Sequence, residues 1–109
     1  MILSMEPVNR SETFFLRTAQ EAKYLCECIG NSRISVTVDT FHANIEEKNI
    51  PAAIRSLGTH LRHIHASEND RGPLGRGHIP FGEIIQSLRH SSYEGYLIIE
   101  GFGYNPRAT

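Results

Sequence analysis

The chain has 109 residues, of which 39% are hydrophobic and 21% are charged, a balance typical of one soluble globular domain. Its formal net charge of -1 and the lack of a long basic run argue against nucleic acid as a partner, because phosphate binding needs clustered positive charge. No apolar run is long enough for a membrane span or a signal peptide, so we expect a cytoplasmic protein with no membrane partner.

Apolar runs of strand length and helical stripes alternate along the chain. The predicted strands cover about residues 2–6, 34–39, 60–65 and 96–100. The first predicted helix runs from Ser11 and Glu12 to Gly30. The second begins near Pro51, after an acidic turn at Glu46 and Glu47, and the third includes Ile84, Ile85 and Leu88. This β-α-β-α-β-α-β order calls for a parallel sheet.

The first helix and the loop before the last helix each carry a further prediction. The first helix would bury an apolar stripe that includes Phe15 and Cys26, and Cys28 would be exposed without forming a disulfide or a zinc site. The long polar loop over residues 66–80 is of a kind that is usually functional.

Four residues able to bind a metal ion close the four strands. Glu6, Asp39, His65 and Glu100 are 33, 26 and 35 residues apart, about the length of one strand plus one helix. Strand alternation places each of them opposite the apolar neighbours that helices would cover. In the third strand Leu61 and Ile64 are out of step with this alternation, but His63 and His65 share one face. Parallel strands would therefore direct all four side chains to one point.

The composition of this set indicates which metal it suits. Three carboxylates and one imidazole form an oxygen-rich site that favours Mn²⁺, Mg²⁺ or Co²⁺ over a closed structural zinc. Coordination positions would remain for two oxygens of a substrate. The sequence therefore predicts a divalent metal site, with Mn²⁺ expected first.

Four motifs in this order carry a family resemblance. They are MEPVNRSE at 5–12, DTFH at 39–42, HIHASENDRG continuing to GRGHI at 63–79, and IIE at 98–100. Together they closely resemble the C-terminal half of the ketose 3-epimerases, the D-tagatose, D-psicose and L-ribulose 3-epimerase group of the xylose isomerase-like TIM barrels. The resemblance extends from Leu3 to Phe102.

The resemblance implies roles for individual positions. It makes Glu6, Asp39, His65 and Glu100 the metal ligands, and Glu6 and Glu100 also the acid/base pair that epimerises a ketose at carbon 3 through an enediolate. The metal would act as a Lewis acid.

The resemblance also implies a set of sugar contacts. Glu12, His42 and Arg71 match positions that hydrogen-bond the sugar. This sequence departs from the family pattern at Ser11, where an aromatic residue is common, and at Gly101, where a small hydroxyl residue is usual.

Some residues keep a second interpretation. Glu12 is also a suitable carboxylate for a helix start, and His78 is equally suited to contact substrate or to cap the next helix. His63, one layer deeper on the face of His65, is better explained as a packed or supporting histidine.

Alternative functions also stay open. A hydroxypyruvate isomerase-like or inosose-metabolising enzyme belongs to the same superfamily, whereas an endonuclease IV-like repair enzyme would need a histidine-rich zinc cluster and a basic face. A further alternative is a catalytically inactive fragment that retains the signature.

The fold class implied is α/β, the C-terminal half of a (β/α)8 barrel. Residues 1–109 would supply strands 5 to 8 and would lack the first four β/α units and the last helix. Because a half-barrel leaves two strand edges open, we expect a homo-oligomer or a complementing N-terminal half-barrel, with a ketose sugar as substrate.

Overall fold

The computed structural model describes residues 1–101, so Phe102 at the end of the resembling segment lies outside it. Four parallel strands lie in the order β1 (Leu3–Met5), β2 (Ile34–Asp39), β3 (Leu61–Ala66) and β4 (Tyr96–Ile99). The helices are α1 (Ala19–Ile29), α2 (Thr40–Glu46), α3 (Ile50–Leu57) and α4 (Phe81–His90), with a 3-10 turn at Gly58–His60. The predicted parallel α/β architecture is confirmed.

The hydrophobic core lies between the sheet and the helices. Val36 and Ile64 in the middle strands are fully buried, and they belong to one cluster with Ile54 and Leu57 of α3 and Ile84 of α4. Burial of an aliphatic side chain of this size contributes about 1.5–3 kcal/mol. This packing fixes the two middle strands, on which the site depends.

The first helix begins later than the sequence predicted. Its N-cap is Thr18, whose side chain accepts from Glu21 N while the Glu21 carboxylate accepts from Thr18 N, a complete capping box. Ser11 instead lies in a turn, where its amide donates to a side-chain oxygen two residues earlier. Phe15 is 68% exposed, so its predicted place on the buried stripe was wrong.

The other end of α1 agrees with the prediction. Gly30 has φ 67° and its amide donates to Cys26 O at 2.9 Å, as expected of a left-handed helix end. Cys26 is buried and Cys28 is exposed, and both are free thiols.

Helix α2 was not predicted. It starts directly at the end of β2, with Asp39 as its N-cap and Glu46, expected in a turn, as its last residue. The helix predicted near Pro51 is α3, which has Asn49 as its N-cap.

A bulge in the sheet explains why Leu61 and Ile64 of β3 do not follow the simple alternation of faces. Val36 pairs with Leu61 and Thr37 pairs with His63, so Arg62 has no counterpart on β2. This bulge returns Ile64 to the buried face after Leu61 and leaves His63 and His65 on the other face.

Within the described residues, every helix is too short or too polar to span a bilayer.

Candidate metal and substrate site

The four predicted ligands lie at the carboxyl edge of the sheet. Asp39 is the last residue of β2 and His65 the penultimate residue of β3, while Glu6 and Glu100 directly follow β1 and β4. Because all four strands are parallel, these ends meet at the same edge.

The side chains converge on the imidazole of His65. Its Nδ1 atom lies 2.8 Å from Glu6 Oε2, 3.1 Å from Glu100 Oε2 and 3.8 Å from Asp39 Oδ2. One ligand atom each from Glu6, Asp39 and His65 lies within 4.8 Å of the others. The structure therefore brings three of the predicted ligands together, and the fourth, Glu100, contacts His65.

Asp39 gives the strongest indication that a cation fits here. Its Oδ1 atom accepts from Phe41 N at 2.8 Å and from His42 N at 3.4 Å, at the start of α2. Its Oδ2 atom is buried and has no hydrogen-bond partner among residues 1–101. A buried carboxylate oxygen without a donor is costly, and a divalent cation held also by Glu6, His65 and Glu100 would satisfy it.

A second cluster contains the three predicted sugar contacts. His42 is buried in α2, and its Nε2 atom lies 3.0 Å from Arg71 Nη2. On its other side, Nδ1 accepts from the backbone amide of Asn9 at 3.1 Å and lies 3.6 Å from Glu12 Oε2. Glu12, His42 and Arg71 thus belong to one connected group.

Arg71 links this cluster to the candidate metal site. Its guanidinium carbon lies 4.0 Å from the centre of the Phe41 ring, a cation–π contact. Its Nη1 atom is 3.9 Å from Glu100 Oε1. The backbone of Arg71 has φ 60°, which is uncommon for a residue other than glycine.

The loop that carries Asn9 and Glu12 is tied to α2. The backbone amide and guanidinium of Arg10 donate to the Glu46 carboxylate at 2.6, 3.1 and 3.2 Å. The Arg10 side chain thereby holds the pKa of Glu46 below its ordinary value. Glu12 lies in a turn of this loop, before α1 begins at Ala19. Its alternative interpretation as a helix-start carboxylate was therefore wrong.

The structure also tests the interpretations of two further histidines, His78 and His63. The His78 side chain is exposed and does not cap α4, which has Pro80 as its N-cap without a side-chain hydrogen bond. His63 packs edge-on against His65, with ring centres 5.1 Å apart. That contact agrees with a supporting histidine.

Sequence reasoning missed three buried polar residues beside the site. Thr40 Oγ1 accepts from Ser67 N at 2.8 Å and donates to Ser67 O at 2.5 Å, and Ser67 Oγ donates to Glu100 O at 2.7 Å. Asn9 is also buried, and its side chain bridges Glu12 and His42. Each lies within three residues of a predicted site residue in the sequence, a signal that could have found it.

Comparisons with known proteins find consistent relatives for the chain. A family model described as a xylose isomerase-like TIM barrel matches residues 1–109. The D-psicose 3-epimerase of Enterocloster bolteae is 42% identical over 102 residues, which are 94% of this chain and 34% of that protein. The L-ribulose 3-epimerase of Mesorhizobium japonicum is 38% identical over 92% of this chain and 34% of its own length.

A solved structure extends the likeness to three dimensions. The D-psicose 3-epimerase from Clostridium cellulolyticum H10, determined with D-tagatose, matches with a TM-score of 0.88 and 39% identity over 91% of this chain and 34% of that chain. The resemblance predicted from the motifs is confirmed. The chain spans about a third of the length of the curated relatives it matches.

Proposed function

Because the chain belongs to the xylose isomerase-like TIM barrel family, we propose that its strand-end site is that of a metal-dependent ketose 3-epimerase. The relatives named above are D-psicose and L-ribulose 3-epimerases. The observation that carries the proposal is the convergence of three carboxylates on His65 Nδ1, with Asp39 Oδ2 buried and lacking a donor among the described residues.

Glu6, Asp39, His65 and Glu100 would hold the cation. Their oxygen-rich chemistry suits Mn²⁺ first, with Mg²⁺ or Co²⁺ as substitutes. When bound, the cation supplies Lewis-acid polarisation of the substrate oxygens next to the reacting carbon.

Glu6 and Glu100 are the proposed acid/base pair. They follow the two outer strands of the described sheet, and their carboxylate oxygens lie 2.8 and 3.1 Å from His65 Nδ1. One carboxylate removes the proton from carbon 3, leaving the electron pair in the enediolate, and the other delivers a proton to the opposite face of that carbon. The configuration at carbon 3 is thereby inverted with no net change in atoms.

His42, Arg71 and Glu12 are the proposed sugar contacts. The guanidinium of Arg71 lies between His42 and Glu100, so it can donate to a sugar oxygen beside the reacting carbon. Glu12 is more than half exposed and offers an acceptor to a sugar hydroxyl at the outer side of His42. These donors and the acceptor would fix the orientation of the ketose.

Metal uptake and epimerisation test the proposal separately. Titration calorimetry with Mn²⁺ should detect one site, and chromatography should detect conversion of D-psicose, D-tagatose or L-ribulose. Glu6→Gln should lower the rate by ~100-fold or more, as loss of a general acid or base does. Glu27→Gln, on the exposed face of α1, is the matched control and should leave the rate unchanged.

Two outcomes would contradict parts of the proposal. A folded sample that takes up no Mn²⁺ would exclude the metal site. A sample that binds Mn²⁺ but epimerises none of the three ketoses would exclude the activity.

A further inference from the structure

Glu68 is a buried carboxylate that the proposed chemistry does not use. It lies in the loop between β3 and α4 and has no exposed surface. Its Oε2 atom accepts from Gly75 N at 2.9 Å, and its Oε1 atom accepts from Ile79 N at 3.0 Å and Asn69 N at 3.3 Å. Burial alone would raise the pKa of Glu68, but these backbone donors outweigh burial and hold it below its ordinary value.

The contacts of Glu68 join the two limbs of this loop. Its carboxylate binds the outgoing limb at Gly75 and Ile79, while its backbone carbonyl accepts from Arg71 N at 2.9 Å on the incoming limb. The limbs approach so closely at Gly77 that a Cβ there would lie 2.5 Å from Glu68 Oε1. The loop is thus wrapped around one ionised side chain.

Arg71 lies at the bend of the wrapped loop. Its positive φ and its contacts with His42 Nε2 and the Phe41 ring depend on the path of the chain between the two limbs. A change in the centre of the loop would therefore move the guanidinium rather than the metal ligands, which lie at strand ends.

We propose that Glu68 is a positioning residue: its buried carboxylate gathers the backbone amides of the loop and so holds Arg71 against His42 and Phe41, where the ketose is bound. The last clause rests on the proposed function. The placement of Arg71 itself does not.

A nuclear magnetic resonance experiment on the full chain tests the placement without sugar or metal. The Phe41 ring should shift the Arg71 side-chain signals upfield, because the guanidinium lies over the ring. Phe41→Leu identifies that shift by abolishing it. Glu68→Gln should abolish it as well, since the amide group of glutamine turns a donor toward the amide of Gly75 or Ile79.

Two further variants keep the test decisive. Gly77→Ala keeps a glutamate at position 68, but the added Cβ would collide with the side chains of Glu68 and Asn69 and displace them, so it should also remove the shift. Glu83→Gln, exposed on α4, should retain it. A ring-current shift that persists in folded Glu68→Gln would overturn the proposal.

Ketose affinity then tests the link to the site. With Mn²⁺ present, Glu68→Gln and Arg71→Ala should each weaken ketose binding by about tenfold, and the double variant should be no weaker than either. Mn²⁺ affinity should stay within about twofold of the wild type. A wild type that binds no ketose would overturn the proposed function, whereas fully additive losses would overturn only the positioning role.

Discussion

Asp39 serves the helix and the candidate metal site with different oxygen atoms. Oδ1 caps α2, and Oδ2 lies 3.8 Å from His65 Nδ1. The two roles can be separated because asparagine keeps an oxygen in the capping position and removes the negative charge.

Asp39→Asn should therefore weaken metal binding without destabilising the metal-free protein. We expect Mn²⁺ affinity to fall by about 100-fold or more, since a charged ligand is lost. The free energy of unfolding without metal should be unchanged or higher, because a buried charge without a donor among the described residues is removed. Calorimetry and urea unfolding measure the two quantities.

Asp39→Ala provides the contrast. It removes the cap as well, and it should cost about 1 kcal/mol in the metal-free protein. If the asparagine variant loses as much metal-free stability as the alanine variant, the two oxygens do not have separate roles.

At the level of elements, a pair of buried hydroxyl groups joins the carboxyl ends of three strands. Thr40, directly after β2, exchanges two hydrogen bonds with Ser67 after β3, and Ser67 donates to the backbone of Glu100 after β4. The backbone of a proposed ligand and acid/base residue is thereby fixed from outside the site.

Thr40→Val should destabilise the fold by about 1–3 kcal/mol, because it leaves the buried amide of Ser67 without its acceptor. Thr40→Ser keeps the hydroxyl group and should cost less than Thr40→Val. Urea unfolding of both variants measures the difference. A Thr40→Val variant that is as stable as the wild type would mean that the hydroxyl bonds do not contribute.

The sequence predicted the bounds of some strands and helices but not of others. Strand β2 was predicted with its observed bounds because apolar and polar residues alternate cleanly up to Asp39. The start of α1 was misplaced because Ser11 and Glu12 imitate a helix start, although Thr18 and Glu21 carry the full capping-box spacing. Helix α2 escaped prediction because seven residues are too few to show a period.

The convergence of the site was predictable for a different reason. Parallel strands place their ends at one edge, so the four ligands needed only the correct strand and phase. The buried roles of Asn9, Ser67 and Glu68 depend instead on the path of two long loops. No local periodicity encodes that path.

At the level of the whole molecule, the described sheet has two open edges. Strands β1 and β4 each pair on one side only within residues 1–101. Both edges carry exposed apolar side chains, since Leu3 on β1 is 58% exposed and Ile99 on β4 is 70% exposed. Exposed edges of this kind promote pairing with other strands.

We therefore predict that the chain associates with itself or with a complementing half-barrel through these edges. Light scattering should detect species larger than the 12.3 kDa monomer, increasing with protein concentration. Ile99→Lys should shift the distribution toward monomer, because a charge on an edge strand opposes pairing. Ile29→Lys, the same change at an exposed position on α1, should leave it unchanged. A monodisperse monomer with a cooperative melt would contradict this prediction, because the sheet would then be stable with both edges open.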